Sequence, residues 1–317
     1  MKALVTGVAG FIGSTLAARL LQSDDVEVVG VDCFSDYYSP DIKRRNLSSL
    51  LTNSRFTFVE ADLSTDPVEE LVRDVNWIFH QAGQPGVRKS WGADFQIYVD
   101  ANVSATQRLL EASRESSSLK AFVYASSSSV YGDAERYPTR ESDRPTPLSP
   151  YGVTKLAAEH LCVLYAKNFG VPTTSLRYFT VYGPGQRPDM AFHRFVRAAI
   201  SDESLTVFGT GEQVREFTHV SDIVAANILT ARAELPGGTV INLSGGSAVS
   251  VNEVLDQIAD IHGSPLRVER GNPVPGDVFR TGGSTELAQT LLGWSPVIGI
   301  REGLESEYHW MAKLLEG

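Results

Sequence analysis

The sequence of 317 residues predicts an α/β protein with a doubly wound parallel sheet and a smaller C-terminal α/β domain. Three observations support this fold class. Short apolar runs alternate with amphipathic helical stretches over the first half of the chain, as in a sheet covered by helices on both faces. The first apolar run leads directly into a glycine-rich turn. After about residue 180 the alternation weakens, and proline and glycine become denser.

Six apolar runs are predicted to be the parallel strands. Each is continuously hydrophobic, which is typical of strands that are buried on both faces. The segment 11–22 is predicted to be the helix between the first two strands, and a later run at 239–244 is expected to return to the same sheet. The six runs lie at residues 3–6, 26–31, 56–59, 77–80, 121–125 and 173–179.

The composition argues against several classes of function. The chain has 28 Lys and Arg against 38 Asp and Glu, a net charge of −10, whereas nucleic acids and anionic membranes require a continuous basic face. No run approaches the roughly 20 apolar residues of a membrane span, and no signal peptide is evident. Two cysteines, Cys33 and Cys162, are too few for a disulfide framework, and the six scattered histidines predict no metal site. We therefore expect a cytoplasmic protein that binds neither nucleic acid nor membranes.

The glycine-rich turn after the first strand predicts a dinucleotide site. Gly7 permits a tight turn, Gly10 lets the backbone approach a pyrophosphate, and Gly13 allows close packing of the helix on the sheet. The helix that follows, beginning with Phe11 and Ile12, presents its free N–H groups to the phosphates. This is the arrangement of a Rossmann-type fold, with a first glycine interval one residue longer than in the common pattern.

Asp32 closes the second predicted strand, 19 residues beyond Gly13. A carboxylate there accepts hydrogen bonds from the adenosine ribose and repels a 2′-phosphate, so NAD is favoured over NADP. A short basic run that begins at Lys43 is more typical of a solvated helix face, although Lys43 could reach the cofactor. Other expected cofactor contacts lie at the ends of the third and fourth strands, namely Asp62, Leu63, Gln81, Ala82, Gly83 and Gln84.

Tyr151 and Lys155 are four residues apart and form a candidate catalytic pair. Ser149 and Pro150 are typical of an N-cap and a first helical turn, so the two side chains are expected on one face of a helix. A tyrosine ordinarily titrates at a pKa of about 10, and a nearby positive charge lowers that pKa by stabilising the phenolate. We therefore expect Lys155 to lower the pKa of Tyr151 and make it a general base.

A run of four serines, residues 126–129, ends the fifth predicted strand. Hydroxyls at the carboxyl edge of a parallel strand point into the ligand crevice. Ser127 is expected to steady a substrate oxygen beside the tyrosine, and Ser128 and Ser129 are expected to contact the substrate. The alternative is a plain hydrophilic loop.

Together, the glycine turn, the aspartate of the second strand, the serine run and the Tyr-x-x-x-Lys pair resemble the extended short-chain dehydrogenase/reductase (NAD-dependent epimerase/dehydratase) family over essentially the whole chain. Segments at 207–211, 215–222 and 292–294 are similar to its nucleotide-sugar branch. The resemblance implies a Rossmann NAD-binding domain at residues 1–179, joined by the returning strand, and a nucleotide-sugar-binding domain at residues 180–317.

The resemblance also implies particular contacts. The stretch of Val207 and Phe208 is expected to border the uridine and Arg215 to meet the pyrophosphate, with Arg280 as a weaker candidate for a phosphate contact. Family members commonly form homodimers through two helices, here 94–114 and the helix after Tyr151, so a homodimer is expected. Ser35 and Tyr178 complete the expected NAD contacts, and Lys155 is expected to bind the nicotinamide ribose.

Residues 177–191 are similar to the UDP-glucuronate 4-epimerases, which show Thr-Val-Tyr-Gly-Pro followed by Arg-Pro-Asp-Met. UDP-glucose 4-epimerases typically have asparagine where Thr180 stands and lack the arginine at Arg187. Dehydratases carry an Asp-Glu pair where Ser128 and Ser129 stand. UDP-glucuronate decarboxylases carry a glutamate where Ser129 stands, so the resemblance favours epimerisation.

The chemistry of a glucuronate substrate explains why Arg187 is expected to contact it. Oxidation at C4 makes a β-keto acid, which loses CO₂ when the bond to the carboxylate lies parallel to the carbonyl π system. A guanidinium can hold the carboxylate away from that alignment with two parallel hydrogen bonds, and Thr180 and Ser128 can complete the grip. Arg88 is a second candidate for this contact.

The sequence thus predicts NAD-dependent epimerisation of UDP-glucuronate to UDP-galacturonate through a transient 4-keto sugar. In this hypothesis Tyr151 takes the 4-hydroxyl proton while hydride moves to NAD, and Ser127 steadies the 4-oxygen. The leading alternative is a UDP-glucose/UDP-galactose 4-epimerase, followed by a UDP-glucuronate decarboxylase. From another class, a non-catalytic NAD-sensing regulator on the same fold is disfavoured because both Tyr151 and Lys155 are present.

Overall fold

The computed structural model describes residues 1–272 and 278–316. Its strands and helices alternate through the first 180 residues, as the apolar runs predict. The strands are β1 Lys2–Thr6, β2 Glu27–Asp32, β3 Phe56–Glu60, β4 Trp77–His80, β5 Ala121–Ser127, β6 Thr173–Tyr178, β7 Val181–Tyr182, β8 Leu205–Phe208, β9 Val214–Glu216, β10 Thr218–His219, β11 Thr239–Leu243, β12 Ala248–Ser250 and β13 Val268–Gly271. The α-helices are α1 Phe11–Leu20, α2 Pro40–Ser48, α3 Glu69–Val72, α4 Phe95–Tyr98, α5 Ala105–Ser113, α6 Pro150–Phe169, α7 Ala191–Ile200, α8 Val220–Arg232, α9 Val251–His262, α10 Glu286–Leu292 and α11 Ile300–Glu316.

Seven strands form one parallel sheet in the order β11-β6-β5-β4-β1-β2-β3, so the predicted doubly wound α/β fold is confirmed. β1 pairs on one side with β2, where Thr6 lies opposite Val31, and on the other with β4, where Thr6 lies opposite His80. The strand order reverses at this point, and ligands of such sheets bind outside the carboxyl ends of the strands there. The late strand β11 lies beside β6, with Leu243 opposite Tyr178.

The two faces of the sheet bury separate apolar cores. Successive side chains of a strand point to opposite faces, so Val5 joins the cluster beneath α1 and α8, and its neighbour Leu4 joins the cluster beneath α5 and α6. Leu4 and Leu109 are fully buried, and each such side chain contributes roughly 1.5–3 kcal/mol to folding. The continuous hydrophobicity of the strands follows from this double coverage.

A third core lies in the C-terminal part of the chain. Its buried members include Phe192 of α7, Leu304 of α11 and Phe217, which lies between β9 and β10. Tyr182 of β7 packs edge-on against Phe192, with ring centroids 5.3 Å apart. Three two-stranded sheets border this core, formed by β10 with β7, β12 with β9 and β13 with β8. The loop between β7 and α7 therefore runs from the end of the main sheet across to this second packing unit.

The helix α6 begins where the sequence predicts. The Ser149 hydroxyl accepts a hydrogen bond from the Gly152 amide at 3.1 Å, and Pro150 occupies the first turn. The helix ends at Gly170, whose φ of 72° is the left-handed conformation that glycine adopts without strain. These caps fix the direction in which Tyr151 and Lys155 leave the helix.

Neither a membrane-spanning helix nor a metal cluster occurs within residues 1–272 and 278–316. None of the helices there is both long enough and apolar enough to cross a membrane. In the same ranges, His, Cys, Asp and Glu side chains do not gather in groups of three or more that could hold a metal ion.

Candidate active site

The glycine turn between β1 and α1 is shaped by close backbone packing. Gly7 has a φ of +67°, and a Cβ on it would lie 2.8 Å from the Cα of Ala82. A Cβ on Gly13 would lie 2.2 Å from the carbonyl oxygen of Gly7. α1 has no side-chain cap at Gly10 and no acidic residue in its first turn, so the N–H groups of Phe11 and its successor remain available to an anion. The turn therefore fits the diphosphate of a dinucleotide.

Asp32 is fixed against this turn at the end of β2. Its Oδ2 accepts from the Ala9 amide at 3.1 Å and its Oδ1 from the Phe34 amide at 2.9 Å. The residue is 9% exposed, and each oxygen retains a lone pair for a ribose hydroxyl. This placement fits the predicted NAD ribose contact.

Lys43 is buried beside Ser35, so the interpretation of this basic run as a solvated helix face is wrong for Lys43. Its ammonium donates to the Ser35 carbonyl at 2.7 Å and to the Ser35 hydroxyl at 2.8 Å. Burial lowers the pKa of Lys43, and the nearby Asp32 opposes this by raising it. The three residues thus lie together at the adenosine end of the predicted cofactor site.

Asp62 and Leu63 follow β3, as predicted, but they differ in exposure. Leu63 is 6% exposed, whereas Asp62 is exposed and accepts hydrogen bonds at Oδ1 from both the amide and the hydroxyl of Ser64. Asp62 therefore organises its own turn as well as standing at the sheet edge.

Gln81 and Tyr178 are held together above the carboxyl end of the sheet. The Tyr178 hydroxyl donates to Gln81 Oε1 at 3.1 Å, and Gln81 Nε2 donates to Asn227 Oδ1 at 3.0 Å. Asn227 Nδ2 in turn donates to the Tyr178 oxygen at 2.8 Å. Asn227 of α8 was not among the predicted residues, because its position depends on how α8 packs against a sheet far away in sequence.

Asn102 connects the segment after β4 to the catalytic helix, and sequence reasoning missed it. Its Oδ1 accepts from the Gln84 amide at 2.7 Å, and its Nδ2 donates to the Thr154 hydroxyl at 3.0 Å. A Cβ on Gly83 would lie 2.7 Å from the same Oδ1. Asn102 lies in a π-helical turn, Val99–Ser104, and such turns are often found at functional sites. The sequence contains no pattern that predicts this turn.

Lys155 points from α6 toward the end of β5. Its ammonium donates to the Ala125 carbonyl at 2.8 Å and lies 4.9 Å from the centre of the Tyr124 ring. A Cβ on Gly83 would be 3.4 Å from this nitrogen, so the ammonium borders the predicted cofactor segment. Burial lowers the pKa of Lys155 to about 8.

Burial, Ser127 and Arg187 act on the pKa of Tyr151. Burial raises this pKa above its usual value, although a hydrogen bond from Ser127 and the positive charge of Arg187 lower it. The ammonium of Lys155 donates to the Ala125 carbonyl. The lowering of the Tyr151 pKa by Lys155 stays a prediction, and Arg187 is a second cation that acts in the same direction.

The serine run divides between the site and the protein interior. Ser127 is 9% exposed, hydrogen-bonds to Tyr151 and accepts from the Ser129 amide at 3.1 Å. Ser126 instead donates to Glu159 Oε2 at 2.8 Å in the interior. Ser128 and Ser129 are half-buried in the turn that follows. Because Ser126 and Ser127 are buried, the alternative of a plain hydrophilic loop is excluded for these two residues.

Beneath the catalytic helix lies an ion pair that the sequence did not reveal. Arg177 donates to Glu159 at 3.0 and 2.5 Å, with side chains only 4% and 3% exposed, and also to the Tyr131 hydroxyl at 2.6 Å. Removing one partner of such a pair costs about 3–5 kcal/mol because the other charge is left buried. The pair locks α6 to β6 and thereby fixes the position of Tyr151.

Arg187 lies near Tyr151, and its guanidinium is paired with Asp189. Its Nε donates to Asp189 Oδ1 at 3.0 Å and its Nη2 to Asp189 Oδ2 at 2.9 Å. Burial lowers the pKa of Arg187, but Asp189 outweighs this and raises it. Thr180 follows β6 and is half-buried, with its carbonyl accepting from the Thr218 amide at 3.1 Å. The sequence predicted the guanidinium but not its internal carboxylate partner.

The two residues of the predicted uridine segment differ in burial. Val207 is 3% exposed and belongs to the third core, so it can meet a ligand only through its backbone. Phe208 is half-buried, and the guanidinium of the exposed Arg88 lies 4.6 Å from its ring centre. Arg88 thus reaches from the first part of the chain to the predicted uridine segment.

Arg215 and Arg280 are brought together, as a shared phosphate site requires. The backbone of Arg280 forms an isolated β-bridge with the backbone of Val214, the neighbour of Arg215. The guanidinium of Arg280 lies 5.2 Å from the ring centre of Tyr137. Arg215 donates to the carbonyls of Val214 and Phe279 at 3.0 and 2.9 Å. These backbone contacts hold the Arg215 side chain along the edge of the site.

Glu307 of α11 supports the loop that carries Arg187. Its Oε2 accepts from the Gly183 amide at 3.1 Å, the side chain is fully buried, and Oε1 has no hydrogen-bond partner within the described residues. Burial raises its pKa to about 8. A carboxyl group therefore stays protonated at neutral pH beneath the loop.

Glu307→Gln is expected to stabilise the protein at alkaline pH. The unfolded chain releases this proton near the ordinary pKa of 4.5, whereas the folded chain keeps it until about 8, so wild-type stability falls as pH rises between these values. Glutamine does not titrate and still accepts from Gly183. Relative to about pH 4, the variant should gain on the order of 2–4 kcal/mol in free energy of unfolding over the wild type at about pH 9. Urea denaturation at both pH values measures this, and an equal difference at the two would contradict it.

Known proteins share both the sequence and the architecture of this chain. The family model described as the NAD dependent epimerase/dehydratase family matches residues 3–244. The chain is 43% identical to the uncharacterized UDP-glucose epimerase YtcB of Bacillus subtilis, with 100% of both proteins covered. It is 34% identical to the UDP-glucuronate 4-epimerase of Thermodesulfobacterium geofontis, covering 99% of this chain and 97% of that protein. A crystal structure of the UDP-glucuronic acid 4-epimerase from Bacillus cereus, in complex with UDP-glucuronic acid and NAD, matches with a TM-score of 0.96, at 43% identity over 99% of this chain and 100% of that one.

Proposed function

We propose that this chain, which belongs to the NAD dependent epimerase/dehydratase family, is an NAD-dependent 4-epimerase that interconverts UDP-glucuronate and UDP-galacturonate. The observation that carries the proposal is the position of Arg187, which lies close enough to Tyr151 for its positive charge to lower the pKa of the phenol. A cation beside the proton-transfer group is where a carboxylate on the adjacent sugar carbon needs a partner. The similarity to UDP-glucuronate 4-epimerases, including one bound to UDP-glucuronic acid and NAD, supports the same assignment.

In the proposed mechanism, the residues of the chain move one proton and hold the two ligands. NAD, when bound, accepts the C4 hydride and later returns it to the opposite face of the sugar. Tyr151 takes the 4-hydroxyl proton and gives it back, and Ser127 orients the phenol through the hydrogen bond they share. The glycine turn and Asp32 hold the dinucleotide, and the buried ammonium of Lys155 borders the nicotinamide ribose.

Arg187 gives the site its means of avoiding decarboxylation. A β-keto acid loses CO₂ only when its carboxylate bond aligns with the carbonyl π system. Two hydrogen bonds from one planar guanidinium hold the carboxylate in a fixed position and so keep its bond to the sugar ring out of that alignment, which a single point charge does not. The hydroxyls of Ser128 and Thr180 are half-buried and available as further donors.

The direct test is to incubate the purified protein with UDP-glucuronate and follow the products by NMR. UDP-galacturonate without net NADH is the expected result. UDP-xylose, or no conversion, would contradict the proposal. Parallel assays with UDP-glucose establish whether the C6 carboxylate is required.

A UDP-glucose/UDP-galactose 4-epimerase is the second candidate. The similarity to YtcB, described as an uncharacterized UDP-glucose epimerase, favours it. A kcat/KM for UDP-glucose well above that for UDP-glucuronate would favour this alternative.

We also propose that the protein is a homodimer. Large apolar side chains are exposed on the adjoining helices α4 and α6, where Ile97 is 52%, Val153 47% and Leu164 51% exposed. α4 contacts α6, so the two helices that carry these side chains are neighbours in the fold. A second copy of the chain would cover this apolar surface, in agreement with the helices expected from the sequence.

Leu164→Glu is expected to produce a monomer, because a carboxylate cannot be buried unpaired in an apolar interface. Light scattering should then give the 34.5 kDa of one chain instead of twice that mass. Leu51→Glu, at an apolar residue 57% exposed away from these helices, is the matched control and should leave the mass unchanged. A wild-type protein that is already monomeric would refute the dimer.

A cytoplasmic location is likewise proposed. Cys33 and Cys162 are both free thiols, and Cys162 is buried. Free thiols are the usual state of cysteine in a reducing compartment. Fractionation of cells that produce the protein tests this directly.

A further inference from the structure

Lys155 carries its positive charge inside the protein, where two successive residues of β5 contact it. We infer that Tyr124 is a positioning residue for the reaction, and that the face of its ring keeps the ammonium of Lys155 charged and in place beside the cofactor site. The inference goes beyond the proposed function, since Tyr151 and Lys155 would act alike on either candidate sugar.

The ammonium of Lys155 is surrounded by neutral groups. The residue is 6% exposed, and its nitrogen donates to the Ala125 carbonyl at 2.8 Å and lies 4.9 Å from the centre of the Tyr124 ring. Within residues 1–272 and 278–316 this ammonium forms no salt bridge. A buried charge without a partner of opposite sign loses much of its solvation. The ring face, which is the negative part of an aromatic side chain, is therefore a contact that favours the charged form.

Tyr124 offers its ring rather than its hydroxyl. The residue is fully buried in the middle of the sheet, opposite His80 of β4 and Ser175 of β6, and its ring packs against the His80 ring with centroids 5.8 Å apart. Its hydroxyl is buried and has no hydrogen-bond partner among the residues that the structure describes. Burial also raises the pKa of Tyr124, so the side chain stays a neutral phenol. A buried hydroxyl without a partner stabilises nothing, which leaves the ring as the useful part of the side chain.

The other ionisable groups that act on Lys155 or respond to it supply no negative charge at neutral pH. Burial raises the pKa of the Cys162 thiol, so the thiol stays protonated. Burial and the charge of Lys155 lower the pKa of His80 to about 3, so its imidazole stays neutral. Burial lowers the pKa of Lys155 itself to about 8. The ammonium is therefore close to losing its proton, and a contact that favours the charged form decides its state.

The ionisable residues one helical turn before and after Lys155 are not counter-charges either. Glu159 is bound to Arg177, whose Nε and Nη2 donate to its two oxygens at 3.0 and 2.5 Å. Burial raises the pKa of Tyr151, so it is a neutral phenol until it acts as a base. The ring of Tyr124 is thus the contact whose strength can be changed without changing a charge.

A weaker ring face should lower the pKa of Lys155 by about one unit, the size expected for a desolvated contact between a cation and a ring. The decisive variant places 3,4,5-trifluorophenylalanine at position 124, because fluorine withdraws π electrons and leaves the packing nearly unchanged. Tyr124→Phe is its reference, since it keeps the ring face and loses only the unpaired hydroxyl. Tyr124→Leu removes the ring altogether.

Phe122→Leu is the matched control for the loss of packing. Phe122 is two residues from Tyr124 on the same strand, is fully buried in the same core, and packs against His80 with ring centroids 6.1 Å apart. Its replacement leaves a similar cavity but keeps the ring that contacts Lys155. The pKa of Lys155 should therefore stay at its wild-type value.

The experiment follows the titration of Lys155 by NMR in the NAD-loaded protein, labelled with ¹³C at the lysine Cε atoms. The Lys155 signal is assigned by its loss in Lys155→Met. The alkaline limb of kcat/KM for UDP-glucuronate is measured in the same variants and should move with the NMR titration. We expect wild type, Tyr124→Phe and Phe122→Leu to titrate alike, and the trifluorophenylalanine and leucine variants at position 124 about one pH unit lower.

That pattern would support the inference. Equal pKa values of Lys155 in the trifluorophenylalanine variant and in Tyr124→Phe overturn it, whether or not Tyr124→Leu folds. An equal fall in Phe122→Leu and Tyr124→Leu also overturns it, because packing alone would then set the pKa. If the protein converts no UDP-glucuronate, the proposed function fails separately, and the NMR titration still decides the role of Tyr124.

Discussion

Tyr151→Phe is expected to lower the epimerisation rate of UDP-glucuronate by about 10²–10⁴-fold, the usual contribution of a general acid–base group. Phenylalanine keeps the ring packed edge-on against Tyr98, with centroids 6.2 Å apart in the wild type, and removes only the hydroxyl. Substrate affinity should therefore change far less than kcat. Initial rates followed by NMR, with binding measured separately, distinguish the two effects.

Tyr165→Phe provides the control for this substitution. Tyr165 lies on the same helix, and its hydroxyl donates to Glu111 and accepts from Gln107, away from the predicted site. Its variant should retain nearly full activity. A Tyr151→Phe enzyme within about tenfold of the wild type would show that another group moves the proton.

Arg187→Met is expected to change the product as well as the rate. Methionine has similar length but no charge, so the bond from the sugar ring to the C6 carboxylate is no longer held out of alignment with the 4-keto carbonyl, and CO₂ can be lost. The rate of UDP-galacturonate formation should fall about 10²-fold, as expected for the loss of one or two charge-assisted hydrogen bonds. A rise in the pKa of Tyr151, whose pKa Arg187 lowers, should slow proton removal further. NMR of the product mixture should show UDP-pentose in place of UDP-galacturonate.

Arg187→Lys separates the effect of the positive charge from the effect of the two parallel hydrogen bonds that a guanidinium makes. Lysine keeps a positive charge near Tyr151 but cannot make two parallel hydrogen bonds, so we expect a smaller loss of rate with a mixture of products. If Arg187→Met retains the wild-type product and KM, the carboxylate is held elsewhere, and Arg88 becomes the next residue to test.

Local patterns account for the features that the sequence predicted correctly. The doubly buried strands show as continuous apolar runs, and the start of α6 shows as Ser149 followed by Pro150. The glycine turn is visible because Gly7 has a positive φ and Gly13 packs against the Gly7 carbonyl within one strand–helix unit. Each of these signals arises from residues close together in the chain.

Long-range packing explains what the sequence did not reveal. Lys43 seemed solvated and is buried, and Val207 faces a core that several distant helices complete. The amide of Gly183 meets a carboxyl group 124 residues later, at Glu307. The pairing of Arg187 with Asp189 is local, but both residues were equally compatible with an open loop, and only the fold shows that Arg187 lies near Tyr151.

The position of β11 has a consequence for how the protein can be made and divided. The strand beside β6 comes from residues 239–243, after the chain has already left the sheet to build β7 to β10. A fragment ending near residue 179 would expose the backbone N–H and C=O groups of β6, all of whose residues are buried here, as an open edge prone to aggregation. During synthesis the sheet cannot be completed until Leu243 has left the ribosome, so the unit that folds is longer than the cofactor half alone.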